Sequence, residues 1–249
     1  MRSCFYAFIM CQSMFCAIPC PWKLWDESAR GKMPVFLPVI GLELGGIWAL
    51  LAYLAGILHL PAPLRALVLC LWLFIGTGFL HLDGFMDVTD AVKSWRDLEE
   101  RRRILKDPHS GSFAVIACVL LILTQFALFA GAKETADFHA LILIPTASRA
   151  IAGLCVTALR PMSTSEYAGT YRKGVKKSHI VWFAILLTVV LAAAFLLLGK
   201  YGLAPLAVVV GYLLAMRRAF RSLDGMSGDI SGYALTFGEL CGIAVYALI

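Results

Sequence analysis

Three aspartates, Asp83, Asp87 and Asp90, stand at i, i+4 and i+7 in the stretch 78–90 (GFLHLDGFMDVTD). On a helix that spacing puts all three on one face about a turn apart, so their oxygens converge. Like charges this close repel, and a membrane surface with little screening water sharpens the repulsion. A cation is therefore expected among them. Magnesium is the natural choice, because this hard ion takes one or two carboxylates, keeps several waters and shares substrate phosphate oxygens. The bland alternative is a solvated acidic helix start that complements the helix dipole, at the cost of poor helix formers with no structural return.

Further polar groups extend the pattern. Arg101, Arg102, Arg103 and Lys106 lead into Asp107-Pro108-His109, where Asp107 is either a fourth metal carboxylate or a turn former. His81 and His109 flank the cluster as structural hydrogen-bonding groups or as a general base. Segment 222–232 (SLDGMSGDISG) carries Asp224, Ser227, Gly228 and Asp229. Its backbone N–H groups, running into a helix N-terminus, could cradle phosphate, although glycine, serine and aspartate also make ordinary turns. Glu43, Arg149 and Glu239 lie inside apolar runs, where ionisable groups are expensive and normally face a cavity or a partner. Arg149 and Glu239 either pair structurally or line a site.

The elements that must position these groups are membrane helices. Of 249 residues, 60% are apolar and 15% charged, against about 45–50% and about 25% in soluble domains. That excludes a soluble globular domain, a disordered chain and a disulfide scaffold. Apolar runs at about 34–58, 62–82, 112–132, 138–158, 179–199 and 232–249, with a shorter one at 203–216, predict an all-α polytopic integral membrane bundle. About six to seven transmembrane helices in a single membrane domain, 1–249, are expected at roughly 20 residues per span. Residues 4–18 are too short to span and lack a following cleavage pattern, so 1–33 is expected to be an interfacial or re-entrant segment. The eight cysteines form no CxxC pair and read as small hydrophobes.

Charge sets the orientation. Loops 19–33, 83–111, 159–178 and 217–231 hold seventeen of the 22 Lys and Arg residues. By the positive-inside rule they are cytoplasmic, with 83–111, 159–178 and 217–231 forming the site. This topology also puts Arg149 and Glu239 in the cytoplasmic half. The net charge of +6 is spread over four loops, so the expected partner is the lipid bilayer and no nucleic acid. Homo-oligomerisation is left open.

Taken together, these residues resemble the cobalamin synthase family, the adenosylcobinamide-GDP ribazoletransferases. His81-Leu82-Asp83-Gly84 with Asp87 and Asp90 resembles that family's HLDG-x2-D-x2-D signature. Lys106-Asp107 with Gly111, Ser148-Arg149, and Gly225 through Ser227-Gly228-Asp229 and Gly232 to Glu239 resemble its later motifs, in order. Asp224 stands where the family usually has glycine, Ala91 where a glycine often follows the last aspartate, and Thr236 where a second glutamate is common.

The resemblance implies an Mg²⁺-dependent transferase in the bacterial or archaeal cytoplasmic membrane. Its substrates would be adenosylcobinamide-GDP and α-ribazole or α-ribazole 5′-phosphate, with GMP released. Under that reading Asp83, Asp87, Asp90, Asp107 and Asp229 hold the metal. Asp83, Asp87 and His81 serve the proton transfer, and Arg149, Arg102, Lys106, Ser227, Gly228 and Glu239 bind substrate. A CDP-alcohol phosphatidyltransferase would need DG-x2-AR, and Gly84 is followed by Phe85, Met86 and Asp87. A permease would need broken mid-membrane helices in inverted repeats, whereas the polar residues here gather at one face.

Overall fold

In the computed structural model, residues 2–133, 135–165 and 176–249 are described. Arg172 and Lys173 of the basic loop 159–178 lie outside the described residues. Among the described residues the chain is helical, with one isolated bridge, Pro161 to Met226, and no strand. A short α1 (Arg2–Phe15) and a 3-10 segment (Glu27–Phe36) lead into α2 (Leu37–Ile57), with Pro38 in its first turn. Then come α3 (Ala62–Gly76), α4 (Leu80–Lys93), α5 (Leu98–Ile104), α6 (Ser112–Gly131) and α7 (Ala140–Ala158). Helices α8 (Lys177–Leu198), α9 (Leu203–Leu223) and α10 (Gly228–Leu248) complete the bundle. Proline in the first turn of α2 and α3 suits its locked φ and missing N–H.

Among the described residues five apolar helical stretches are long enough to cross a membrane, and a bent pair makes up to six. The longest, Lys177–Leu223, is not one rod. A Cβ on Gly202 would stand 2.7 Å from the backbone of Ala194 and Phe195, which requires the chain to double back at Gly199–Gly202. It is therefore two helices, α8 and α9, joined by a tight turn. The short run 203–216 expands into a helix of 21 residues, about 31 Å at 1.5 Å per residue and enough to cross.

The run 62–82 departs from a single span. It breaks after Gly76, and Gly78 and Phe79, at φ 58 and φ 64, turn α4 by 86° from α3. Left-handed backbone at two consecutive residues ends a helix sharply. The three aspartates thus ride on α4, a separate amphipathic helix turned away from the α3 span.

The bundle is assembled around α7, buried along most of its length. Gly41 and Gly45, one turn apart on α2, let the two backbones touch: a Cβ on Gly41 would stand 2.4 Å from the Pro145 carbonyl oxygen, one on Gly45 2.5 Å from that of Ile142. Gly238 and Gly242 on α10 do the same against Val208 and Ala204 of α9. Small residues four apart are how membrane helices gain van der Waals contact where lipid removes the hydrophobic drive. By contrast, α6 and α8 bury few residues and present their apolar sides outward.

In the N-terminal segment α1 runs over Arg2–Phe15 and packs on the 3-10 segment and α2. Its Gln12 donates to Glu43 at 3.0 Å, which gives the carboxylate inside α2 its partner. All eight cysteines are free.

Because Gly45 is filled by α7 backbone and Gly46 faces open space, Gly45→Ala is expected to lower thermal stability in detergent by roughly 1–3 kcal/mol of overpacking. Gly46→Ala should leave the melting temperature unchanged or raise it; equal effects would remove the close approach as the cause.

Candidate functional site

The acidic face of α4 meets the start of α10. Gly84 makes this possible, since a Cβ there would stand 3.0 Å from Asp229 Cα and from its carbonyl oxygen. Phe85 stacks on Tyr233 at 5.7 Å, and Thr236 donates to the His81 carbonyl at 3.2 Å, locking the two helices in register. Asp229 is thereby brought beside Asp83 and Asp87. Asp87 carries the consequence: burial first, then the charges of Asp83, Asp229 and Asp90, push its carboxyl up to about 7. Among the described residues no three His, Cys, Asp or Glu side chains are already closed into a metal cage. The carboxylates form a shared negative field.

The remaining candidates have local partners. Asp90 accepts from Gly111 N at 2.5 Å and Ala114 N at 2.8 Å, so both oxygens sit on the N-terminus of α6, where backbone donors and the dipole favour an anion. Asp107 accepts from the backbone N and contacts the ring Nδ1 of His109 at 2.9 and 2.8 Å; those bonds hold its carboxyl below the usual range. Ser227 is the N-cap of α10, accepting from Ile230 N at 3.2 Å.

Arg102 donates to the carbonyls of Leu223 and Asp224 at 3.1 and 3.2 Å, and Arg160 pairs with the Asp224 carboxylate. Asp224 sits at φ 58, the left-handed helix terminus where glycine is cheapest. Its side chain offsets that strain by bonding to Arg160 and Arg102. The departure from the family's usual glycine is therefore explained. Next to it, Gly225 at φ 144 admits no side chain: a Cβ would stand 2.4 Å from Met162 Cα.

A cavity of about 450 Å³ opens behind α4, walled by α1, α2, α7 and α10. Lys106, Gly228 and Asp229 line it, and His81 and Arg149 do so as well. Arg149 is 1% exposed and Glu239 5%. The two form an ion pair, and Ser148 Oγ bridges them, donating to Glu239 Oε1 at 2.8 Å and accepting from Arg149 Nη1 at 2.9 Å. Each lies near the midpoint of its helix. The structural pairing of Arg149 with Glu239 is made through one nitrogen, while Nη2 is buried without a hydrogen-bond partner. His81 Nε2 is likewise buried and unpartnered. Burial, reinforced by Arg149, drives the His81 pKa down to about 3, so the ring is neutral.

The sequence reasoning missed the contribution of α1. Met14 and Phe15 line the cavity, with Phe15 stacked on His81 at 6.4 Å. Thr164 and Ser165 line it too. The signal available was Glu43, an acidic residue inside an apolar run, whose polar partner is Gln12 of α1.

Fold and site together define an integral-membrane helical protein with a cavity lined by His81, Lys106, Arg149 and Asp229 next to the aspartates of α4. The chain belongs to the family described as Cobalamin-5-phosphate synthase, which it matches over residues 7–247. It is 38% identical over 251 residues to the adenosylcobinamide-GDP ribazoletransferase of Clostridium perfringens strain 13, covering 100% of both chains. To the protein of that name from Clostridium botulinum strain Alaska E43 it is 35% identical, over 98% of this chain and 97% of the relative. To that from Stutzerimonas stutzeri it is 33% identical, over 87% and 86%. No solved structure matches the chain.

Removing one half of a buried ion pair strands the other. Glu239→Ala is therefore expected to cost about 3–5 kcal/mol of stability, read as loss of folded protein in detergent. The double replacement Arg149→Met with Glu239→Leu should recover most of it; a double variant no better than Glu239→Ala would show the pair is not the cause.

Proposed function

We propose that the protein is an adenosylcobinamide-GDP ribazoletransferase of cobalamin biosynthesis. The full-length match to relatives of that name supports this reading, and the observation that carries it at the site is the chamber joining Asp229 to two unpartnered buried nitrogens. A ribose hydroxyl of α-ribazole or its 5′-phosphate attacks the cobinamide-linked phosphorus. A new P–O bond forms, the bond to GMP breaks, GMP leaves with the electron pair, and the hydroxyl proton passes to the protein. Such a transfer asks mainly for in-line positioning and for neutralisation of spreading charge.

An all-oxygen set of crowded carboxylates suits Mg²⁺, and Asp83, Asp87 and Asp229 are the residues that would hold it, with Asp90 next to them and Asp107 farther along the same loop. When bound, the ion supplies charge neutralisation at the diphosphate. Arg149 Nη2 at the cavity floor and Lys106 at its wall bind phosphate oxygens. The α10 N-terminus at Gly228, capped by Ser227, adds backbone donors. Glu239 and Ser148 aim Arg149, and Arg102 holds the 222–224 loop that delivers Asp229. Neutral His81 accepts a hydrogen bond through Nε2, while Asp87, raised to about 7, matches the proton affinity a base needs near neutrality. The loops 83–111, 159–178 and 217–231 face the cytoplasm, where the nucleotide substrates are.

Purified protein in detergent, given GDP-activated cobinamide, α-ribazole 5′-phosphate and Mg²⁺, should release GMP; none with an authentic corrinoid would overturn the assignment. Asp87→Asn is expected to lower turnover about 10²–10⁴-fold while the protein still inserts in the membrane, and normal turnover would remove Asp87 from the site. Arg149→Lys should lose more than its conserved charge suggests, because the fork is gone.

Protons compete with the cation at Asp87. A carboxyl raised to about 7 is neutral below that pH, so Mn²⁺ affinity, read by electron paramagnetic resonance with Mn²⁺ standing in for Mg²⁺, should fall as pH drops from 8 to 6. A flat profile would mean that Asp87 is not a ligand.

A further inference from the structure

The side of α4 away from the aspartates builds a second feature. At 100° per residue, Phe85, Thr89 and Val92 point roughly opposite to Asp83, Asp87 and Asp90. With Ala117 of α6, Leu214 of α9 and Phe237 of α10 they wall a groove of about 380 Å³, within the range of about 300–1,000 Å³ usual for small-molecule sites. Leu214 is 66% exposed and Phe237 40%. Both lie on crossing helices, so the groove opens sideways toward the hydrocarbon.

Its polar end is cationic. Lys93, in the last turn of α4, and Arg218, near the end of α9, line the groove and are exposed. Among the described residues no carboxylate pairs with either. An apolar slot within the span that ends in two cations at its edge is complementary to one kind of molecule. Basic pockets between membrane helices on the cytoplasmic side bind anionic head groups.

We propose that this groove is a binding site for an anionic phospholipid, with one acyl chain lying along Phe85, Val92 and Phe237 and the phosphate held between Lys93 and Arg218. A lipid seated there braces α4 from behind, opposite the face that carries the aspartates. The site stands apart from the chamber and needs no assumption about the reaction.

The test uses the full chain, purified in detergent, with lipid retention read by native mass spectrometry against equimolar phosphatidylglycerol and phosphatidylcholine. The wild type should retain one phosphatidylglycerol per chain with at least tenfold preference. Lys93→Glu with Arg218→Glu should abolish the preference, and Ala117→Phe, which fills the slot but keeps both charges, should abolish retention. Arg217→Glu, an exposed neighbour outside the groove, should leave both intact.

Equal preference in the wild type, the double variant and Arg217→Glu would reduce the effect to general surface charge and overturn the proposal. Displacement of the lipid by millimolar inorganic phosphate alone would overturn it in favour of a free-anion site. A dimer that forms in place of lipid retention and is broken by Ala117→Phe would overturn it in favour of a second copy of the chain. The double variant keeps the residues of the chamber, so its thermal unfolding in detergent distinguishes a lost lipid site from a lost fold.

Discussion

A guanidinium held at mid-bundle sets the terms for this structure. Arg149 sits about 14 Å from either end of α7 at 1.5 Å per residue, where an unpaired charge would be prohibitive. Glu239 and Ser148 meet part of that demand, and they fix how α7 and α10 are rotated against each other. One nitrogen is left unsatisfied, so the chamber has a polar floor deep among apolar walls. Gln12 and Glu43 answer a similar demand on the α1 side, tying a surface helix to the same buried polar layer.

From that layer outward, glycine decides which backbones approach. Gly41 and Gly45 seat α2 on α7, and Gly84 seats α4 on Asp229. The last of these couples an acidic helix to an acidic loop without any attraction between them. Burial and then the neighbouring carboxylates both disfavour a charged Asp87, and packing elsewhere must offset that cost. Phe85 against Tyr233, Asp90 on the α6 N-terminus, and Arg102 with Arg160 on the 224 turn all serve that end. Much of what reads as site residue is therefore scaffolding for the few groups that reach the chamber.

Much of the fold was legible because its cause is local. A run of about 20 apolar residues must be helical and must cross, and the aspartate spacing is helical whatever surrounds it. The exceptions have non-local or backbone causes. The run 62–82 reads as continuous in hydropathy, yet Gly78 and Phe79 turn it by 86°. The run 203–216 looks too short because Arg217, Arg218 and Arg221 end the apolar pattern, while the helix itself continues to Leu223. Asp107 and Asp90 match the motif equally well, but one bonds within its own turn and the other to a helix 21 residues away.

The sequence by itself determined the membrane class, the crowding of acidic groups at one end and the family of the chain, since composition, period and motif order are properties of the string. Only the tertiary structure decided which of those groups share a chamber. Whether Arg149 is a structural partner or an open anion site depends on how many of its five donors Glu239 and Ser148 can reach, and reach is set by the crossing of α7 and α10. The place of α1 over His81 and the groove behind α4 are likewise contacts between segments far apart in the chain, and neither leaves a trace in local spacing.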